Sequence, residues 1–261
     1  MAKHSNNKSA EAPLGVGFAI FGRIWALWGL ITFLITFLII FLPSMLSNLM
    51  KDPKGQKYFI AVSKIWMNVW LFLIGCPVKV SGKENFKSGT AYIVVFNHNA
   101  LLDVPLSSPY VPGANKTIAK ASFAKIPLFG SFYKKGAILV DRKNEKSRSK
   151  SFDAMKKILA MGMHMCIYPE GARNRTADPI KPFYDGAFRL AVATEKDIIP
   201  CVITGTKKAM PIDKKFFLLP VRLKMQFLPA QTSTGKTVTE LKEKVHEEML
   251  KVYKEYQGIR S

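Results

Sequence analysis

The stretch Ala91–Asp103, AYIVVFNHNALLD, decides the fold. Ala91 to Phe96 is a continuous apolar run without the alternation of a strand wetted on one side. It therefore reads as a strand buried on both faces of a mainly parallel sheet. His98 follows the strand, and Asp103 stands five residues further on. A strand that ends in His and opens a helix sets the imidazole at the mouth of the sheet, where open α/β sheets bind ligands. The Asp can fold back to accept a hydrogen bond from one ring nitrogen, which fixes the tautomer and leaves the other nitrogen as a base. Residues five apart do not share a helical face, so this pairing needs His98 to precede the first helical turn. A core or capping histidine fits the same residues, and the rest of the chain has to decide between the two.

Further β-branched or apolar runs lie on either side: Val78–Val80, Thr117–Ala119, Ala137–Val140, His164–Tyr168 and Ile198–Ile203. Val221–Phe227 alternates instead, with Val221, Leu223, Met225 and Phe227 against Arg222, Lys224 and Gln226, which predicts an edge or one-sided strand. Helices fit between the strands. Phe152, Met155, Ile158 and Leu159 repeat at helical spacing, and Gly186 to Glu195 forms a second helical stretch. Thr237 with Glu240 is a capping box opening a C-terminal helix that carries Leu241, Val245, Met249 and Val252 along one side. The alternation predicts an α/β fold, a mixed and mainly parallel sheet flanked by helices.

Two more strands end in charged residues. Gly136–Arg142 (GAILVDR) closes on Asp141 and Arg142, and Tyr168–Asn174 (YPEGARN) presents Glu170 and Arg173. Each alone reads as an ion pair or a solvated turn. Pro200, inside Ile199–Val202, alone reads as an interrupted or edge strand. Together they say more, because the ends of parallel strands cluster on one side of a sheet. One base and two guanidiniums facing a crevice suit an alcohol that also carries a phosphate.

The chain has 261 residues, with 39 Lys and Arg against 18 Asp and Glu, a formal net charge of +21. Such a charge attracts nucleic acid or an anionic lipid surface. No nucleic-acid reading head is recognisable, and the charges are scattered rather than interleaved with aromatics. The N-terminal third points to lipid. Ile24–Leu42 (IWALWGLITFLITFLIIFL) carries no charge and as a helix would be roughly 28 Å long, close to the hydrocarbon thickness of a bilayer. Tyr58–Gly75 is apolar except for Ser63, Lys64 and Asn68. The bulk of Trp66, Met67, Trp70, Leu71 and Phe72 predicts an interfacial or membrane helix, with a helix packed on the globular domain as the alternative. Residues 1–76 thus read as a membrane anchor and 77–261 as the α/β domain. Lys51, Lys54, Lys57 and the basic remainder follow the first run, which puts the bulk of the chain on the cytoplasmic side. Lys207, Lys208, Lys214 and Lys215, around Phe216–Leu219, are candidates for orienting the domain on an anionic surface. Cys76, Cys166 and Cys201 are widely spaced and lack a CxxC pair, so they give no disulfide framework or zinc site and read as small buried hydrophobes in a reducing compartment.

The blocks around His98, Arg142, Glu170 and Pro200, in this order and spacing, resemble the four motifs of the glycerophosphate acyltransferases, specifically the 1-acyl-sn-glycerol-3-phosphate acyltransferase group. VSGKEN (80–85), AKASFAKIPLFG (119–130) and FYDGAFRLA (183–191) agree with it. The resemblance implies transfer of a fatty acyl group from acyl-CoA or acyl carrier protein to the sn-2 hydroxyl of 1-acylglycerol 3-phosphate, giving phosphatidic acid. It implies direct transfer without an acyl-enzyme, and no metal or bound cofactor. His98 would be the general base and Asp103 its orienting partner. Lys120, Arg142 and Arg173 would hold the acceptor phosphate, Glu170 and Gly171 would shape the acceptor pocket, and Pro200 would border the acyl-donor side. Ala172 and Asn174 stand where the family usually has Thr and Ser, and Tyr168 where Phe is common, departures that bear on the acceptor more than on the reaction. Another acceptor, such as a lyso-ornithine lipid, is the alternative within the same chemistry, although one without phosphate leaves Arg142 and Arg173 with no obvious partner. A hydrolase would need a nucleophile beside His98, and no G-x-S-x-G is present.

Overall fold

In the computed structural model, which describes residues 15–141 and 143–258, the apolar runs form one seven-stranded sheet. The chain opens with α1 (Val16–Met45) and α2 (Lys54–Leu73), then enters β1 (Val78–Ser81) and β2 (Ile93–Phe96). It continues through α3 (Asp103–Tyr110), β3 (Asn115–Lys120), α4 (Phe129–Gly136), β4 (Ala137–Val140), α5 (Glu145–Ala160) and β5 (His164–Ile167). Last come α6 (Gly186–Thr194), β6 (Ile198–Thr204), the one-turn α7 (Thr206–Ala209), β7 (Leu223–Phe227) and α8 (Val238–Gln257).

The strand order is β1-β7-β6-β2-β5-β3-β4. From β6 to β4 every pair is parallel, so five strands end on the same edge. β7 runs antiparallel to β6 and parallel to β1. The sheet is covered on both faces, as the continuous apolar runs require. Tyr92, Val94 and Phe96 pack with Trp66, Met67 and Trp70 of α2. Ala91, Ile93 and Val95 point the other way, into a core shared with α5, α6 and α8. Asn144 caps α5 by accepting from the Ser147 N–H, and the Thr237–Glu240 capping box opens α8.

The structure refines three expectations. Of the two readings of the alternating run, the one-sided strand holds and the edge strand does not: β7 lies between β1 and β6, with Leu223, Met225 and Phe227 buried on one face. The first helix, Val16–Met45, begins eight residues before Ile24 and ends three after Leu42, with Pro43 inside its last turn. A proline there loses its own N–H bond and crowds the Ile39 carbonyl, and the helix ends two residues beyond it. The second helix starts at Lys54, and its bulk faces protein: Trp66, Met67, Trp70 and Leu71 are buried, while Ile65, Val69 and Phe72 remain exposed.

α1 packs on α2 and on the loop before β7 through small residues. Gly22, Ala26, Gly29 and Thr32 are buried in this seam. Indole N–H groups cross it: Trp25 donates to the Ile74 carbonyl at 3.0 Å, Trp28 to Leu73 at 2.9 Å, and Trp70 to Gly29 at 3.0 Å. Phe217 and Leu218 are buried beneath α1, so of Phe216–Leu219 only Phe216 is fully exposed. The opposite face of α1, including Ile24, Leu27, Ile31, Leu34, Leu38 and Leu42, is apolar and uncovered. The helix is long and apolar enough to cross a membrane.

The VSGKEN block has a packing explanation. Gly82 has φ of 79°, and a Cβ there would lie 1.9 Å from the Phe227 carbonyl oxygen, which also accepts from Asn85 Nδ2 at 3.0 Å. Gly82→Ala is expected to lower stability by about 2 kcal/mol or more, because the backbone clash adds to the left-handed conformation. Thermal unfolding in detergent checks this; an unchanged melting temperature would show that β1 and β7 part without cost.

Candidate active site

His98 lies in the turn between β2 and α3, ahead of the first helical turn. Its Nδ1 is 2.9 Å from Oδ2 of Asp103, the first residue of α3. The same oxygen accepts from the backbone N–H groups of Asn99 at 2.6 Å and Ala100 at 2.7 Å. A carboxylate oxygen only accepts, so in the neutral imidazole Nδ1 carries the proton and Nε2 the lone pair. Nε2 has no hydrogen-bond partner among the described residues, and the His98 side chain is 15% exposed while Asp103 is fully buried. This geometry lets Nε2 accept a proton from a group that reaches it.

The backbone of His98 is held from both sides. Its N–H donates to Oε1 of Glu170 at 2.7 Å, and its carbonyl accepts from the Asn174 N–H at 2.7 Å. Both partners come from the loop after β5, the neighbour of β2 in the sheet. On the other side Asn97 adds a rung to β6, donating to the Ile203 carbonyl at 2.9 Å and accepting from its N–H at 2.7 Å. Tyr168 completes the support. Its ring lies 4.5 Å from the imidazole, and its hydroxyl donates to the Asp103 carbonyl at 2.8 Å. Burial pushes the Tyr168 phenol well above its ordinary range, so it remains a donor. The exchange of Phe for Tyr thus adds a hydrogen bond at the first residue of α3. Asn174 organises its own loop, accepting from Thr176 and donating to the Asp178 carbonyl at 2.7 Å.

The structure brings His98, Asp103, Glu170, Gly171 and Arg173 together at the adjacent ends of β2 and β5. Arg173 is half-buried and makes no ion pair among the described residues. Lys120 ends β3, two strands from β2 and so roughly 10 Å away by strand spacing, and is exposed. Arg142 lies outside the described residues. Pro200 is not at a strand end: it is buried inside β6 opposite Val95, and its carbonyl accepts from the Leu228 N–H at 2.8 Å. A cavity of about 550 Å³ opens beside Glu170 on the face covered by α5 and α6, with Phe152, Met155 and Ile167 in its wall and Arg148 and Lys181 also lining it. Asn97, Asn174, Lys181 and the Tyr168 hydroxyl were not singled out as site residues from sequence, since their roles depend on partners brought together by the sheet.

Glu170 is fully buried, and its second oxygen accepts from the Lys181 N–H at 3.2 Å. Burial raises its carboxyl from 4.5 to about 7, against the lowering effect of its hydrogen bonds to His98 and Lys181. Folding therefore favours the protonated form. That contribution is fully present below pH 4.5 and is lost as pH rises through about 7. Glu170→Gln removes the titration, so the stability of the natural protein should fall relative to the variant across this window. Chemical denaturation of both at several pH values checks this; a constant difference would mean that Glu170 does not titrate there.

The profile of the acyltransferase family matches residues 77–204. The 1-acyl-sn-glycerol-3-phosphate acyltransferase of Helicobacter pylori is 30% identical over 175 residues, covering 66% of this chain and 73% of that protein. The alpha form from mouse is 29% identical over 70% of this chain and 66% of its own length, and the coconut protein is 31% identical over 53% and 45%. The chain thus spans between about half and two thirds of the length of these last two. The crystal structure of the 1-acyl-sn-glycerophosphate acyltransferase from Thermotoga maritima shares the fold, with a TM-score of 0.77 at 23% identity, covering 93% of this chain and 98% of that one. The chain belongs to the acyltransferase family.

Proposed function

We propose that the protein transfers a fatty acyl group from an acyl thioester to the sn-2 hydroxyl of 1-acylglycerol 3-phosphate, giving phosphatidic acid. The observation that carries this reading is a histidine whose Nδ1 is held by buried Asp103 and whose backbone is held by the loop after β5, the loop that carries Arg173, which makes no ion pair among the described residues. The names of the relatives from Helicobacter pylori and mouse support the same acceptor. Nε2 takes the hydroxyl proton as the oxygen attacks the thioester carbonyl. The tetrahedral intermediate then collapses with breakage of the C–S bond, and the imidazolium returns the proton to the leaving thiolate. Asp103 stabilises the imidazolium in between. Arg173 holds the acceptor phosphate, with Lys120 and Arg142 as further cations and Glu170 and Gly171 forming the wall. The donor is acyl-CoA or an acyl carrier protein.

An acceptor of this kind lives in a bilayer. The uncovered apolar face of α1 supports membrane attachment, and the basic segments after it support a cytoplasmic position for the domain.

An assay in detergent with a panel of lysolipids tests the assignment. His98→Ala should lower turnover by at least about 10²–10⁴-fold with the fold intact. Arg173→Ala should raise KM for the phosphate-bearing acceptor by about tenfold or more and leave the donor KM nearly unchanged, as loss of a charge-assisted contact implies. A rise in the donor KM instead would reverse the two ends of the site. Preference for lyso-ornithine lipid over 1-acylglycerol 3-phosphate would overturn the acceptor assignment.

A further inference from the structure

The segment between β3 and α4 presents an unusual surface. Phe123, Ile126 and Leu128 are 40%, 45% and 50% exposed within six residues. Leu128 is held at φ 57° and ψ −55°, and the Phe129 N–H closes on the Pro127 carbonyl across it. This is the rare form of γ-turn, strained for any side chain with a Cβ. The segment is not loose. The Gly130 N–H donates to the Ile126 carbonyl at 2.7 Å, and a Cβ on Gly130 would lie 2.3 Å from the Ala124 carbonyl oxygen. The chain is thus fixed in a strained turn whose visible result is an apolar side chain in solvent. Strain of this kind persists where the surroundings over-determine it, and it clusters at functional positions.

The surroundings indicate what the turn meets. Phe129, the next residue, packs on Phe33 and Phe37 of α1 with ring centroids 6.5 and 5.7 Å apart. The tip therefore adjoins the helix whose outer face is apolar and uncovered. Residues 115–140 contain five lysines and no Asp or Glu. Lys116 and Lys135 pair with Asp52 at 3.2 and 3.1 Å, which leaves Lys120, Lys125 and Lys134, with Lys120 and Lys125 on either side of Phe123. Apolar tips between lysines complement an anionic bilayer surface, where each cation meets a head group and the side chains enter the acyl boundary. An apolar groove on a protein partner would not call for the lysines.

We propose that Phe123–Leu128 is a second membrane-contact element, a rigid loop that inserts Phe123, Ile126 and Leu128 into the interface of an anionic bilayer beside α1. It rests on the membrane attachment proposed above. Because the loop begins at the end of β3, on the edge where His98 and Arg173 stand, its insertion brings that edge toward the lipid head groups.

The three native cysteines are buried, so a cysteine introduced by Ile126→Cys takes a fluorophore selectively. The full chain is reconstituted in vesicles of phosphatidylcholine and phosphatidylglycerol. The label should be quenched by a lipid-borne quencher and shielded from iodide, whereas a label at Lys244→Cys on α8 should behave oppositely. Quenching of the Ile126 position by iodide alone would overturn the proposal. The variant Ile126→Ser/Leu128→Gly supplies the second measure. Glycine accepts the left-handed φ, so its melting temperature should not fall, yet transfer to an acceptor embedded in those vesicles should slow by about tenfold, with no change on a short-chain soluble acceptor. Unchanged transfer on vesicles would also overturn the proposal. The quenching needs no turnover, so a wild type inactive on every lysolipid would sink the reaction assignment and leave the loop assignment standing.

Discussion

The Oδ2 atom of Asp103 accepts three hydrogen bonds inside a loop of six residues, and the site is organised around that oxygen. Two of the donors are backbone N–H groups that a turn between a buried strand and a helix would otherwise leave unsatisfied. The third is the imidazole. One buried carboxylate thus ends β2, starts α3 and selects the tautomer of His98. Such an arrangement holds only if the chain on either side cannot shift. Asn97 fixes the near side to β6, and Glu170 with the Asn174 N–H fixes the peptide groups of His98 to the loop after β5. The parallel run of β6, β2 and β5 is what places these supports on a single edge.

The N-terminal helices meet a different constraint. α2 is apolar enough to raise the expectation of a membrane helix, yet its aromatic face closes the sheet. Its Trp70 indole reaches the Gly29 carbonyl of α1, and its Trp66 indole reaches the Thr36 hydroxyl at 2.9 Å. Buried indole N–H groups need acceptors, and the small residues on α1 let the two backbones come close enough to supply them. The seam leaves one face of α1 apolar and uncovered while the other face closes the core.

Much of this was legible in the sequence, for reasons that can be named. Each of the seven strands was marked by a run whose period was right, and the five-residue step from His98 to Asp103 was open to only one geometry that joins them. The burial of α2 was not legible, because hydrophobicity does not distinguish a bilayer from a protein core. The place of β7 was hidden because alternation reports one wet face and says nothing of neighbours. Glu170 was marked as a site residue, but its bond to the His98 N–H spans 72 positions and depends on β5 lying beside β2. The Tyr168 hydroxyl was missed for the same reason: the exchange from Phe looks mild until the Asp103 carbonyl is found within reach.

Direct transfer is the reading most consistent with what surrounds the imidazole. An acyl-enzyme route would need a protein nucleophile within hydrogen-bond reach of Nε2. No Ser, Thr or Cys among the described residues donates to that nitrogen. The nearest thiols in the sheet, Cys166 and Cys201, pair with Val94 and Phe96 inside the core and are fully buried. Burial drives both thiols far above their ordinary range, so neither supplies a thiolate. Nε2 has no hydrogen-bond partner among the described residues, and Arg173, on the loop after β5, makes no ion pair among them. In the proposed function, a base with no protein nucleophile and a cation with no paired anion among the described residues suit a substrate that brings both a hydroxyl and a negative charge.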